Sequence, residues 1–137
     1  YAVTGVQTCA LPILESIGRT KDFIEENKIS VSRLYILTPF PGTSFFRELE
    51  SQGRLVNKDI YSYDGTEAVY TPANMTPAEL TNAYWKLYDD LFTIRSILKR
   101  NILKREFLKN PIRCLFYTGV NLYYRHQISE RITPNIF

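Results

Sequence analysis

A chain of 137 residues that is 45% hydrophobic and 23% charged, with 10 Tyr and 8 Phe, can bury a modest core, and this excludes a disordered tail. No apolar run approaches the roughly 18 residues needed to span a bilayer. Cys9 and Cys114 are the only cysteines and His126 the only histidine, so neither a disulfide framework nor a cysteine-built metal site can be assembled, which fits a reducing compartment. The formal charge of +3 is unevenly placed: Arg95, Lys99, Arg100, Lys104, Arg105, Lys109 and Arg113 fall in one stretch whose single acid is Glu106. Such a segment reads as a solvated helix face or as a contact for an acidic partner, RNA or an anionic membrane.

In chain order, the first segment is anomalous. Val3 to Ile13, VTGVQTCALPI, has no basic residue before it and no continuous apolar stretch, so it is not a signal peptide. It back-translates without a gap into a common sequencing-library adapter. Residues 1–13 are therefore set aside as adapter-derived, with the biological sequence expected to begin near Leu14 inside a gene that has lost its upstream part. Cys9 receives no role, and Cys114, in an apolar helical context, reads as a small buried hydrophobe.

From Glu15 to Asn27, Ile17, Thr20, Phe23 and Ile24 recur at helical spacing. Leu34 to Leu37 form a β-prone run that ends at Pro39, Pro41 and Gly42, which predicts a buried strand entering a tight loop. A helix follows, with Thr43 or Ser44 as N-cap and Gly53 just past its end. Asn57 to Asn74 is weakly patterned: a turn closes at Asp64-Gly65, and an extended piece stops at Pro72. Thr76, Pro77 and Glu79 form a capping box with proline at the first helical position. Behind it, Leu80, Ala83, Tyr84, Leu87, Tyr88, Leu91, Ile94, Leu98 and Ile102 share one face, predicting a long helix to about Glu106 with a kink near Thr93. Asn110-Pro111 announces the last helix, which carries Ile112, Leu115, Phe116, Val120, Leu122 and Tyr123 toward Gln127 and is weakened by Gly119.

Helix, strand, loop and helix with short connections is the pattern of a parallel α/β unit. In such units the loop after a strand builds the ligand site, which singles out Thr38, Pro39, Phe40, Pro41, Gly42 and Thr43. The prolines fix this backbone, Gly42 admits close approach, and the two threonines supply hydroxyls. Asp89 and Asp90 are adjacent on a helix and point apart, so they are no carboxylate pair. Tyr61, Tyr63 and Tyr70 read as ordinary packing, with the lining of an aromatic pocket as the alternative. No catalytic residue and no metal ligand is assigned.

The ordered series Thr38-Pro39-Phe40-Pro41-Gly42-Thr43, Gly53-Arg54, Tyr63-Asp64 and Met75-Thr76-Pro77-Ala78-Glu79-Leu80 resembles the C-terminal part of radical SAM enzymes that carry an N-terminal cobalamin-binding domain. The resemblance runs from about Leu14 to Arg131. Ile60 replaces a usual Trp, Ser44 a common Pro, and Ala83 a common Gly. The three cluster cysteines are missing, and Cys114 cannot replace them.

The resemblance implies an α/β fragment, mostly α: the last helix-strand-helix of a partial (β/α) barrel in 14–56, a connecting segment 57–74 and a helical C-terminal extension 75–137. It implies a cytoplasmic parent enzyme that cleaves S-adenosylmethionine to a 5′-deoxyadenosyl radical, with methyl transfer the usual outcome. That parent would use a 4Fe-4S cluster, S-adenosylmethionine and cobalamin, none of them bound by this inactive fragment, and Thr38 to Thr43 would line its pocket. Its partners would be the missing N-terminal part of the same polypeptide, a small-molecule or lipid substrate, and a membrane surface touched peripherally by the basic helix 95–113, with no nucleic acid. The alternative is a non-enzymatic α-rich module whose basic helix binds nucleic acid or an anionic membrane surface.

Overall fold

The computed structural model describes residues 11–57, 59–103 and 105–134, with side chains from residue 15 onward. Most of the adapter-like stretch and Lys104 of the basic run lie outside the described residues. Among the described residues six helices follow one another: α1 (Leu11–Glu26), α2 (Ser44–Ser51), α3 (Pro77–Leu91), α4 (Ile94–Asn101), α5 (Arg105–Lys109) and α6 (Pro111–Ser129), with a 3-10 turn at Ile60–Ser62. The expected α/β unit is not formed. Among the described residues there is no strand, only an isolated antiparallel bridge between Leu55 and Tyr70.

The reason is visible at the β-prone run. Its backbone bonds go to side chains and a turn instead of a neighbouring strand. The Leu34 carbonyl accepts from the Tyr88 hydroxyl at 2.9 Å and the Tyr84 hydroxyl at 3.3 Å, and the Leu34 N–H donates to Tyr88 Oη at 2.7 Å. The Ile36 N–H donates to the Gly65 carbonyl at 2.8 Å. The run is laid across α3 as an irregular segment, so side-chain alternation was present without a ladder to join.

Local signals in the sequence hold. Thr43 caps α2, its hydroxyl oxygen accepting from the Phe46 N–H at 3.2 Å, and Gly53 ends the helix at φ +64°. Thr76 and Glu79 form the capping box of α3 reciprocally: Thr76 Oγ1 accepts the Glu79 N–H at 3.2 Å, and the Glu79 carboxylate accepts the Thr76 N–H at 2.7 Å. These bonds hold the Glu79 carboxyl below its ordinary value, the Thr76 backbone bond contributing most. Asn110 differs from expectation: Pro111 starts α6, but the Asn110 side chain makes no capping bond.

The long helix of the sequence reading is broken at Phe92 and Thr93, and the break changes which side faces inward. α3 buries Leu80, Tyr84, Leu87, Tyr88 and Leu91. Thr93 is extended (φ −62°, ψ 147°) and caps a new helix through the Ser96 N–H at 3.2 Å. After this reset α4 buries Ser96, Ile97, Arg100 and Asn101, leaving Ile94 and Leu98 outside. An uninterrupted helix would have kept Ile94 and Leu98 on the inner stripe.

The core joins α1, α3, α4 and α6 through Ile24, Leu87, Tyr88, Leu91, Phe92, Ile97, Tyr124 and Ile128, with Ile36 and Ala68 contributed by the irregular segments. Aromatic rings run through it in sequence, Tyr84 to Tyr88 at 5.1 Å, Tyr88 to Phe92 at 5.7 Å and Phe92 to Tyr124 at 6.1 Å. α6 buries Cys114, Asn121, Tyr124 and Ile128, whereas most of the apolar residues that mark it in the sequence face outward.

Candidate functional site

Two regions carry the residues that the sequence singles out. The first is the Thr38–Thr43 loop. Thr38 Oγ1 donates to the Ile36 carbonyl at 3.0 Å and Thr43 Oγ1 to the Phe40 carbonyl at 2.7 Å, so both hydroxyls are spent on the loop's own backbone. Gly42, at φ +90°, turns its carbonyl toward Arg47 Nη1 at 3.0 Å. Pro39 is fully buried, while Phe40 is exposed and its ring stands 6.2 Å from Tyr63. The loop is a rigid rim.

Beside this rim lies an open recess of about 470 Å³ bounded by Tyr35, Leu37, Thr38, Phe40, Tyr63 and Asp64. The Asp64 carboxylate is occupied by the Thr66 N–H at 2.9 Å and hydroxyl at 2.7 Å. A second recess, about 270 Å³ and mostly apolar, lies between α1 and α3 and includes Ile17, Leu34, Tyr70, Tyr84 and Leu87. Burial raises the pKa of Tyr84, with the neighbouring Tyr88 adding to the effect, and burial likewise raises Tyr88 and Tyr70. Tyr84 and Tyr88 stay neutral donors at ordinary pH and serve as hydrogen-bonding struts to Leu34.

The second region is the basic run, and the structure divides it. Arg100 is completely buried. Its guanidinium donates to the Leu91 carbonyl at 2.7 Å, the Ile29 carbonyl at 3.0 Å and Asn121 Oδ1 at 3.4 Å, and lies 5.5 Å from the centre of the Phe92 ring. Asn121 continues the network to the Ser30 carbonyl at 2.8 Å. Burial lowers the Arg100 pKa, opposed by the charge of Glu25. Lys99 faces Glu25 at 3.5 Å. Arg105, Lys109 and Arg113 are exposed and make no ion pair among the described residues.

The sequence reading missed a third feature. Leu108, Ile112, Leu115, Phe116, Leu122 and Tyr123 are all exposed on α5 and α6. Their helical spacing predicts packing, but α6 buries its opposite face, Cys114, Asn121, Tyr124 and Ile128, so that these residues point away from the core. A shallow recess of about 420 Å³ at the far end of α6 brings together Asp89, Leu122, Arg125, His126 and Ser129.

Comparison with known proteins gives partial likenesses. Over 123 residues, 90% of this chain, it is 25% identical to the bacteriochlorophyllide d C-12(1)-methyltransferase of Chlorobaculum tepidum. Over 108 residues, 79% of the chain, it is 24% identical to the bacteriochlorophyllide d C-8(2)-methyltransferase of the same organism. The chain spans about a quarter of the length of either relative. No protein-family profile and no solved structure matches.

These findings correct the resemblance to radical SAM enzymes. It required a barrel strand at Leu34 to Leu37, and that segment is held by tyrosine hydroxyls within an all-helical arrangement of the described residues. Among those residues no group of three or more His, Cys, Asp or Glu side chains could hold a metal ion. The radical SAM parent enzyme, with its iron-sulfur and cobalamin chemistry, is withdrawn, and the relatives are named only as methyltransferases. No helix among the described residues is long and apolar enough to cross a membrane.

Proposed function

We propose that the chain is a helical docking module, without chemistry of its own, that binds a polyanionic surface through α5 and the first turns of α6. The observation that carries this reading is the set Arg105, Lys109 and Arg113, exposed and without ion pairs among the described residues, the last two within a stretch, 107–129, that contains no acid. Exposed cations not engaged in ion pairs attract a polyanion, and salt screens that attraction. Arg100 and Lys99 do not belong to the surface, since one is buried and the other faces Glu25.

The alignment with two methyltransferases over most of this chain favours a place for the module within a longer protein. In that setting methyl transfer belongs to the part outside this chain. The recess beside Thr38–Thr43, with Tyr35, Leu37 and Phe40 exposed around it, would be the seam to that part.

The test is binding to polyuridylate and to phosphatidylglycerol-containing vesicles across a salt series. Affinity should fall as salt rises, and each of Arg105→Gln, Lys109→Gln and Arg113→Gln should weaken it by about fivefold, the effect of roughly 1 kcal/mol per cation near an anionic surface. Binding to neither probe at low salt would refute the proposal.

A further inference from the structure

The outward side of α6 has a composition that a solvated helix face does not normally have. Ile112, Leu115, Phe116, Leu122 and Tyr123 recur at intervals of three, four and seven residues, with Gly119 between them, and so form one stripe opposite the buried Cys114, Asn121, Tyr124 and Ile128. Ile112 is 84% exposed and Phe116 65%. At the stripe's N-terminal end the α5–α6 turn presents Leu108, 86% exposed. A helix apolar on both sides is ordinarily covered on both sides.

The charges around the stripe narrow what covers it. Lys109 and Arg113 stand at one end; at the other, Arg125 donates to the Phe92 carbonyl at 2.8 Å and shares a recess with His126 and Asp89, and residues 107–129 contain no Asp or Glu. A second copy packed in parallel on this stripe would bring Lys109 and Arg113 against their own copies, with no carboxylate within the stripe to relieve it. RNA would satisfy the cations but leave the branched aliphatic side chains of Ile112, Leu115 and Leu122 with no base edge or stacking plane to meet. Apolar side chains in a row, an aromatic pair at their middle and far end, and exposed cations at the N-terminal end match an interface that is anionic at its surface and apolar just beneath it.

We infer that α6 lies in the plane of an anionic lipid bilayer, with Ile112, Leu115, Phe116, Leu122 and Tyr123 inserted at the headgroup–acyl boundary and Lys109 and Arg113 on the phosphates. The inference rests on the polyanion-docking reading and adds to it the identity of the partner and the insertion of the stripe. Gly119 interrupts the stripe at a point where an added Cβ would meet nothing within 4 Å, so the helix backbone can approach the surface there. With no helix able to cross a membrane among the described residues, the association is one of lying on the surface.

The experiment uses the whole chain. Flotation with phosphatidylcholine vesicles, with and without phosphatidylglycerol, should show binding only to the anionic ones. Ile112→Ser and Phe116→Ser, at exposed positions, without added charge and with unchanged circular dichroism, should each reduce binding at least tenfold while leaving polyuridylate binding unaltered. Phe116→Trp should add an emission that shifts to the blue on anionic vesicles and is quenched by lipids brominated in their tails, while the native Trp85 emission stays unquenched. Binding to polyuridylate but not to vesicles would overturn the lipid inference and leave polyanion docking standing. Vesicle binding indifferent to Ile112→Ser and Phe116→Ser, with no quenching of the new Trp, would overturn insertion. A dimer in solution that these two substitutions dissociate, without vesicle binding, would assign the stripe to a second copy and overturn it as well. Binding to neither vesicles nor polyuridylate would remove both readings.

Discussion

Arg100 and Arg113 belong to the same basic run and have opposite fates. Arg100 is sealed inside, its guanidinium spread over carbonyls at the end of α3 and before Ser30, and over the Asn121 side chain. Arg113 stands on the outside of α6 beside an apolar stripe. One is a polar joint between α3, α4 and α6 and the other is available charge. The difference comes from the helix break at Phe92 and Thr93, which turns α4 so that its arginine enters the core, and from the start of a new helix at Pro111. The identity of a residue does not decide whether its charge is surface or structure; the phase of the helix carrying it does.

The comparison fails if Arg100 proves dispensable. Arg100→Ala would leave the carbonyls of Leu91 and Ile29 and the Asn121 amide oxygen without their donor and would open a cavity among Phe92, Asn121 and Leu91. Truncation of a buried cation hydrogen-bonded through both terminal nitrogens costs on the order of 3–5 kcal/mol at such a site. A urea titration should show this as a lower midpoint at similar slope. Arg100→Lys should recover only part of the loss, because an ammonium cannot reach three acceptors in the plane of the guanidinium.

Next in size is the strut beneath the irregular segment. Tyr88→Phe removes the hydroxyl that both accepts from the Leu34 N–H and donates to the Leu34 carbonyl. The expected cost is about 2 kcal/mol, with faster hydrogen exchange at the Leu34 amide. Tyr84→Phe should cost less, since the carbonyl keeps its bond to Tyr88. Burial raises both phenols above the value of about 10 that they have when unfolded. Above pH 10 the unfolded chain loses these protons before the folded one does, so stability should be fully present below pH 10 and fall as pH rises past it. A Tyr84→Phe, Tyr88→Phe double variant, measured as unfolding midpoint against pH, should lose much of that alkaline slope.

How far the sequence revealed this arrangement depends on the range of each interaction. The capping box at Thr76 and Glu79, the cap at Thr43 and the helix stop at Gly53 were legible because all their partners lie within a few residues. The run Leu34 to Leu37 carried a β-strand pattern but no information on what its backbone would meet, and the answer, Tyr84 and Tyr88, lies some fifty positions away. Arg100 was unreadable for a related reason: a continuous helix from Thr76 predicts it outside, and the reset at Thr93 is a two-residue event whose only local trace was the expected kink. On α6 the apolar residues were found, but the side of the helix that would be covered is set by Asn121 and Tyr124 meeting Arg100 and Phe92. The candidate loop Thr38–Thr43 was located as a fixed turn, and its hydroxyls, which looked available in sequence, are consumed by the turn itself.

The smallest effect on stability completes the contrast. Arg113→Gln and Lys109→Gln alter exposed side chains with no ion pair among the described residues, and such changes shift folding stability by no more than about 0.5 kcal/mol. Their thermal midpoints should match that of the parent, while affinity for anionic vesicles falls. The pairing of readouts matters more than either alone: Arg100 should move stability strongly, and Arg113 should move binding and leave stability in place. Equal destabilisation by the two substitutions would mean that the outer surface of α6 is held by contacts comparable to those around Arg100, and the division of the basic run into a buried joint and a free docking charge would not stand.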